Sequence, residues 1–315
     1  MPGTDTDTHP IPDPLPSDPG DGLRQSPQAT LRGLLAVLAL APQPAQGPDV
    51  FVGQSQRQPW GRVFGGQVLA QSLVAAQHTV DDDRGVHSMH GYFLRAGDSN
   101  EPIGFQVERL RDGHSFSARQ VTASQFGRPI LSMIASFQTA ASGLDHQMPM
   151  PDVPAPESLP TITERYADDH TAAAQYWTRQ RPIDLRHVEQ PIFVHSAPER
   201  ARHQAVWMKA VGRLPDDPRL HTAVLAYASD YVLLEPVLRA HGRNWSDPDF
   251  KVASLDHAMW WHRPARTDEW LLYVHDSPSA SGARGLGVGR IYTRDGVLAA
   301  SVAQEGMFRV PAAAL

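Results

Sequence analysis

Apolar residues in the first half of the chain change from helical to extended spacing. Residues 62–80 place Val68 and Leu73 along one stripe, which predicts an amphipathic helix. Turn residues such as Asp112 and Gly113 separate the extended runs that follow it. These runs cover residues 87–96, 103–111, 115–124 and 129–138. This half therefore predicts one long helix followed by an antiparallel meander.

The second half repeats the same order of elements. Residues 220–240 are apolar nearly all round, which predicts a buried helix that Pro236 kinks or ends. A polar, Pro-rich stretch over residues 139–182 separates the halves and is typical of a linker. The predicted extended runs of the second half cover residues 183–195, 204–211, 251–262, 270–277, 283–293 and 297–305.

Short strings also correspond between the halves at nearly the same separation, which indicates an internal duplication. The pairs of strings are His87-Ser88-Met89 with His257-Ala258-Met259, and Ala135-Ser136 with Ala300-Ser301. A long helix wrapped by a curved antiparallel sheet is the hotdog arrangement. We therefore predict an α+β double hotdog of two tandem units, in which the two sheets pair side by side and each loses a free edge.

The predicted division of the chain follows from these patterns. Residues 1–28 are rich in Asp and Pro and lack the basic start of a secretory signal, so they predict a disordered tail. An N-terminal hotdog is expected over residues 29–138 and a linker over residues 139–182. The C-terminal hotdog is expected over residues 183–315, with the main active site in it.

Composition excludes several classes of function. The net charge is -6, so the chain has no basic signature for nucleic acid. No stretch approaches the roughly 20 apolar residues of a membrane span. The chain has no cysteine, which rules out disulfides, a cysteine nucleophile and thiolate metal sites. The lack of cysteine leaves the compartment open, but a chain without a secretory signal or a membrane span is expected in the cytoplasm. The negative charge predicts no nucleic-acid partner.

Six short strings, taken in order, carry a resemblance that covers about residues 30–309. The strings are Arg62-Val63-Phe64-Gly65-Gly66-Gln67-Val68-Leu69-Ala70-Gln71, His87-Ser88-Met89-His90-Gly91-Tyr92-Phe93-Leu94-Arg95, Tyr227-Ala228-Ser229-Asp230, Leu255-Asp256-His257-Ala258-Met259-Trp260, His262-Arg263-Pro264 and Gln304-Glu305-Gly306. In this respect the chain resembles the acyl-CoA thioesterase II family. The resemblance implies a double hotdog that hydrolyses acyl-CoA without a metal or organic cofactor, as a homo-oligomer of two or four chains.

The resemblance also implies a triad of Asp, Thr and Gln that binds the attacking water. Carried onto this sequence, the triad falls on Asp230, Ser254 and Gln304. Ser254 departs from the family's threonine. Serine keeps the hydroxyl but lacks the β-methyl group that restricts the rotamer, so we expect it to bind the water less tightly.

These residue types suit hydrolysis of a thioester by water. A carboxylate in a pocket of low dielectric has a raised pKa and can act as a general base. Asp256 competes with Asp230 for this role, because strand alternation places Asp256 and Ser254 on one face. The amide of Gln304 either binds the water or faces the developing oxyanion, and the sequence leaves both open.

Further candidates border this predicted site. Gly65, Gly66 and Gln67 begin a helix, where free N–H groups bind an oxyanion or a phosphate, or where glycines allow close packing. The remaining predicted substrate-binding residues are His257, Trp260 and Arg263.

Other motifs do not carry chemistry. Residues 113–117 lack the final glycine of a nucleophile elbow and lie in a hairpin turn. His87 and His90 point to opposite faces of a strand and so do not form a metal pair. Three alternating glycines lie in a strand and do not open a helix, so they predict close approach of a neighbour instead of dinucleotide binding. These glycines are Gly285, Gly287 and Gly289.

Two alternative functions stay open at the level of sequence. A 3-hydroxyacyl-CoA dehydratase or hydratase with the same fold would use a histidine near the start of the second helix, where His221 lies outside any such motif. A non-catalytic acyl-CoA sensor would lose part of the triad, whereas all three positions here keep usable groups.

Overall fold

The structure is a computed structural model that describes residues 26–58, 60–178 and 181–309. Most of the tail predicted over residues 1–28 lies outside the described residues, as do residues 310–315. The α-helices are α1 (Pro27–Leu38), α2 (Gly65–Gln77), α3 (Ile162–Arg165), α4 (Ala172–Trp177), α5 (Pro218–Ser229) and α6 (Glu235–Ala240).

Strands of both halves form one antiparallel sheet. They are β1 (Ala41–Pro42), β2 (Val50–Gly53), β3 (Arg84–Phe93), β4 (Ile103–Asp112), β5 (Phe116–Gln125), β6 (Arg128–Thr139), β7 (Ile183–His187), β8 (His203–Ala210), β9 (Lys251–Ser254), β10 (Asp256–Trp261), β11 (Leu271–Ser281), β12 (Arg284–Thr293) and β13 (Leu298–Arg309). Among the described residues the sheet has thirteen strands in the order β1-β2-β4-β5-β6-β3-β10-β13-β12-β11-β8-β7, with β9 beside β13.

The two halves meet in the middle of this sheet. There β3 pairs with β10, and Met89 lies directly opposite Met259. Both side chains are buried. The prediction that two hotdog sheets pair side by side is therefore confirmed, and each half loses one free edge in this pairing.

The register of the sheet corrects the correspondence between the halves. Ala135 lies opposite Met89, whereas Val302 lies opposite Met259. The counterpart of Ala135 is thus Val302, and the predicted match with Ala300 is wrong by two residues. A slip of two residues keeps every side chain on its face, so alternation alone does not detect it.

The two long helices pack against each other in opposite directions beneath the sheet. The start of α2 contacts the end of α5 through Gly66 and Asp230, and Gln77 at the other end of α2 donates to Thr222. Nearly every side chain of α2 is buried, including Leu69 and Leu73. The described helices include none that is long and apolar enough to cross a membrane.

The single helix predicted over residues 220–240 is in fact two helices. The chain leaves helical structure after Ser229 and begins α6 at Glu235. Pro236 lies in the first turn of α6, where its missing N–H costs no helical hydrogen bond. The break places Asp230 at the C-cap of α5, facing the first half of the molecule.

The segment between the halves crosses the surface and carries two short helices, α3 and α4. Trp207 of β8 donates its indole N–H to the carbonyl of Pro154, which ties this segment to the second half. The domain boundaries at residues 28, 138 and 182 stay predictions.

Candidate active site

Asp230 lies at the junction of the two long helices. Its Oδ2 atom accepts a hydrogen bond of 2.7 Å from the backbone N–H of Gly66, in the first turn of α2. A Cβ atom on Gly65 would lie 2.6 Å from the same oxygen, and one on Gly66 would lie 2.3 Å from the carbonyl of Tyr227. Both glycines therefore allow close packing, and Gly66 also donates to an anion at the positive end of a helix.

Burial raises the pKa of Asp230 to about 6, although hydrogen bonds from Gln304 and Gly66 lower it. The residue as a whole is half-buried. A carboxylate with a pKa near neutrality is mostly ionised at pH 7 and still basic enough to accept a proton from water.

The amide of Gln304 joins Asp230 to Ser254. Its Nε2 atom donates to Asp230 Oδ1 over 2.9 Å and to the Ser254 hydroxyl over 2.7 Å. Gln304 is 1% exposed on the inner face of β13. Both hydrogens of the amide nitrogen thus have an acceptor, and the three side chains predicted from the resemblance form one hydrogen-bonded group.

Asp256 lies outside this group. Its Oδ1 atom accepts from the backbone N–H of Glu305, and its Oδ2 atom contacts His90 at 3.2 Å. Four residues separate Ser254 from Ala258, but only three separate their partners on β13, so the chain has an extra residue at Leu255. This bulge reverses the alternation, and the prediction that Ser254 and Asp256 share one face is wrong.

The chain matches proteins of one family over most of its length. The family model for acyl-CoA thioesterase matches residues 179–307, and the model for the acyl-CoA thioesterase N-terminal domain matches residues 55–138. Acyl-coenzyme A thioesterase 8 of Homo sapiens is 41% identical over 92% of this chain and 94% of its own length. The chain belongs to the acyl-CoA thioesterase II family.

Further relatives and solved structures of thioesterases agree with this assignment. Acyl-CoA thioesterase 2 of Haemophilus influenzae is 37% identical over 82% of this chain and 92% of its own length. The crystal structure of an acyl-CoA thioesterase II from Mycobacterium marinum has 43% identity and a TM-score of 0.73. The two chains align over 89% of this chain and 99% of the chain in that crystal structure. The α+β double-hotdog fold of the family is thus also the fold of this chain.

The other predicted substrate-binding residues occupy different environments. Gln67 is fully buried, where its amide accepts from the Gln56 backbone N–H and donates to Gln71. Trp260 is 43% exposed. Arg263 donates to Asp145 of the intervening segment. Their roles in substrate binding stay predictions.

His257 has an environment that the sequence did not indicate. It is fully buried, and its ring contacts Gln304 on one side and Ser229 on the other. Sequence reasoning also missed the bond from Gly66 to Asp230. The only sequence signal for that contact was the pair of glycines at the start of α2.

Within the described residues no group of three or more His, Cys, Asp or Glu side chains is placed to hold a metal ion.

Proposed function

We propose that this chain hydrolyses acyl-CoA thioesters to a fatty acid and CoA, with Asp230 as the general base for water. The observation that carries the proposal is the hydrogen-bonded group of Asp230, Gln304 and Ser254, in which Asp230 has a pKa of about 6. The human and bacterial relatives of this chain are named acyl-CoA thioesterases, which supports the substrate class.

In the proposed reaction, water donates a proton to a free lone pair of the Asp230 carboxylate while its oxygen attacks the thioester carbonyl carbon. The carbonyl C=O electrons move to oxygen and form a tetrahedral intermediate. Its collapse breaks the C–S bond and releases the CoA thiolate, which takes the proton back from Asp230. The products are the carboxylic acid and CoA thiol, and Asp230 returns to its ionised form.

The hydrogen bonds within the group suggest how the other two side chains assist. Each Nε2 hydrogen of Gln304 is engaged, one by Asp230 and one by Ser254. Ser254 accepts from Gln304, so its own hydroxyl hydrogen is left to donate to the water or to the oxyanion. We therefore propose that Gln304 orients Asp230 and Ser254. This orientation reduces the conformational freedom that must be lost before water attacks the thioester.

The position of His221 does not support the hypothesis of a dehydratase or hydratase. This histidine lies near the start of α5, at the opposite end of the helix from Asp230. Its Nδ1 atom accepts from the backbone N–H of Thr267, and the side chain is buried. It therefore has a structural partner and lies away from the carboxylate with which it would have to act.

Release of free CoA from a panel of acyl-CoAs, detected with a thiol reagent, tests the proposal. The protein has no cysteine, so the reagent reports only CoA. We expect Asp230→Asn to lower kcat by about 10²- to 10⁴-fold. Asp256→Asn is the matched control and should keep most of the activity.

Two outcomes would contradict the proposal. Wild-type protein that binds acyl-CoA without releasing CoA would instead be a sensor. Equal losses in Asp230→Asn and Asp256→Asn would remove the assignment of the base.

We also propose the cytoplasmic location and the homo-oligomeric state predicted from the sequence. Exposed aromatic and aliphatic side chains on the outer face of the sheet, such as Tyr92, Ile134 and Trp260, support an association of chains. Light scattering during size-exclusion chromatography gives the mass in solution. A mass of 34.6 kDa would contradict the oligomer.

A further inference from the structure

His257 lies directly behind the proposed active-site group. Its side chain is fully buried on the inner face of β10. Its Nδ1 atom is 2.5 Å from Gln304 Oε1, and its Nε2 atom is 2.9 Å from the Ser229 hydroxyl oxygen. Both ring nitrogens therefore have a polar partner, and Gln304 lies between the ring and Asp230.

The imidazole ring of His257 has one N–H hydrogen for its two nitrogens. Burial lowers the pKa of His257 to about 4, so the imidazole is neutral at pH 7. A neutral imidazole donates from one nitrogen and accepts at the other. The neighbours of the ring decide which nitrogen has the hydrogen.

Asp230 fixes the direction of the Gln304 amide and, through it, the tautomer of His257. An ionised carboxylate only accepts hydrogen bonds, so the NH₂ group of Gln304 must face Asp230. The amide oxygen then faces the ring and needs a donor there. Consequently the hydrogen of His257 is on Nδ1, since the reverse orientation would place the amide oxygen against the carboxylate.

Ser229 completes this chain of hydrogen bonds. Its hydroxyl oxygen is 2.9 Å from the carbonyl oxygen of Ala226 and 2.9 Å from His257 Nε2. Because Nε2 has no hydrogen in this tautomer, it shares the single hydroxyl hydrogen of Ser229 with the Ala226 carbonyl. The bonds then run in one direction, from Ser229 to His257 to Gln304, and from Gln304 to Asp230 and Ser254.

We propose that His257 is a positioning residue for the hydrolysis, whose Nδ1–H holds the Gln304 amide so that its NH₂ group faces Asp230 and Ser254. This inference rests on the proposed function. Loss of this donor lets the amide rotate and present its oxygen to Asp230, which disfavours the ionised base. His257 acts through Gln304, because Gln304 separates it from the reacting atoms.

Three other titratable side chains surround this chain of bonds. Tyr273 of β11 donates to the carbonyl of Ser229 and lies close enough to Asp230 for its own pKa to be raised further. Asp256 and His90 lie close enough to influence the pKa of His257 in opposite directions. The substitutions proposed below leave all three in place.

Two substitutions of His257 separate its two ring nitrogens. The side-chain amide of His257→Asn reaches the position of Nδ1 and can still donate to Gln304. The longer His257→Gln places its amide near the position of Nε2, so it keeps a partner for Ser229 and loses the donor to Gln304. We expect His257→Gln to lose about 30-fold in kcat with KM within about twofold, and His257→Asn to recover most of that loss.

The pH profile distinguishes this role from a merely structural one. In His257→Gln the acidic limb of kcat/KM should move upward by about half a pH unit to one unit, because Asp230 loses an oriented donor. The double variant Asp230→Asn/His257→Gln should be no slower than Asp230→Asn alone. Equal losses in the two His257 variants, or an unmoved limb in His257→Gln, would overturn the inference.

A measurement on the wild-type protein does not depend on the folding of any variant. NMR of ¹⁵N-labelled histidine identifies which ring nitrogen of His257 has the hydrogen. A hydrogen on Nδ1 is expected, and one on Nε2 would overturn the inference. Failure of the wild type to release CoA is a separate result, which would remove the proposed function and leave this tautomer assignment intact.

Discussion

Corresponding positions in the two halves of the sheet carry different chemistry. His87 and His257 occupy matching places on β3 and β10, two residues before the paired methionines. His87 is half-buried and contacts the Ser136 hydroxyl, whereas His257 is fully buried against Gln304. By the register of the sheet, the counterpart of Gln304 in the first half is Phe137, which is fully buried. The same scaffold therefore presents a polar group in one half and a phenyl ring in the other.

The ends of the two long helices differ as well. Asp230 at the end of α5 keeps contact with solvent and has lone pairs left for a water molecule. Beyond the end of α2, the carbonyl and hydroxyl of Thr79 accept from Arg119, which is 1% exposed. The remaining N–H groups of Arg119 donate to Asp112, Arg111 and Ala118, so all five have an acceptor. A fully satisfied buried cation leaves no free N–H group at the end of α2, whereas among the described residues the end of α5 presents the half-buried Asp230 carboxylate.

Of the exchanges between the halves, the largest effect is expected when the second half is given the residue of the first. Gln304→Phe removes the amide that joins Asp230, Ser254 and His257. We expect kcat to fall by about 10³-fold, since the donor to the base and the orientation of the serine are lost together. Initial rates of CoA release measure this loss. Gln304→Glu, which keeps the shape of the side chain, is the control. Full activity in Gln304→Phe would contradict the comparison between the halves.

The reverse exchange should create no second site. Phe137→Gln places an amide in an apolar part of the core and removes a well-packed ring. We expect a loss of about 3 kcal/mol in the free energy of unfolding. Chemical denaturation measures it, with Phe137→Leu as a control that adds no polar group. Recovery of CoA release by Phe137→Gln in an Asp230→Asn background would show that the first half retains catalytic capacity.

The pH dependence of the rate should follow Asp230. Burial raises the pKa of this carboxyl to about 6, and only its ionised form accepts a proton from water. At pH 4.5 the rate should therefore be about 30-fold lower than its plateau above pH 7. Measurement of kcat/KM from pH 4.5 to 8 tests this. A flat profile over that range would exclude Asp230 as the base.

The same carboxyl should lower the stability of the fold at neutral pH. Its pKa is about 4 in the unfolded chain and about 6 in the folded one, so the folded state binds more protons between these values. Stability from this group is thus lost as the pH rises from about 4 to about 6. Relative to wild type, Asp230→Asn should gain about 1 to 2 kcal/mol between pH 4 and pH 7.5, after allowance for partial exposure. Thermal melts at both pH values measure the difference, and a constant difference would contradict it.

The smallest effect is expected at Ser254. Ser254→Thr keeps the hydroxyl that accepts from Gln304 and adds a β-methyl group that restricts its rotamer. We expect a rise in kcat of up to about threefold, because less freedom is lost on binding water. Ser254→Ala is the control and should lower kcat. A loss in Ser254→Thr as large as in Ser254→Ala would show that the methyl group does not fit.

Sequence patterns predicted the elements better than their exact breaks and registers. Alternation and turn residues located the meander of β3 to β6, and the strings around Asp230, Ser254 and Gln304 identified the residues that meet in the structure. The break after Ser229 was not predicted, because apolar residues continue on both sides of Asp230. The bulge at Leu255 was also missed, since an extra residue is visible only in the pairing of two strands.

The sequence by itself determined that two helix-and-sheet units are joined in one chain, because local periodicity carries that information directly. The site residues Asp230, Ser254 and Gln304 followed only from the resemblance of short strings to the acyl-CoA thioesterase II family. Only the tertiary structure decided which carboxylate contacts Gln304, which residue of the first half replaces it, and which side of His257 faces the site. These depend on contacts between residues far apart in the chain, such as Gly66 with Asp230 and His257 with Gln304, whose distances depend on the packing of both halves.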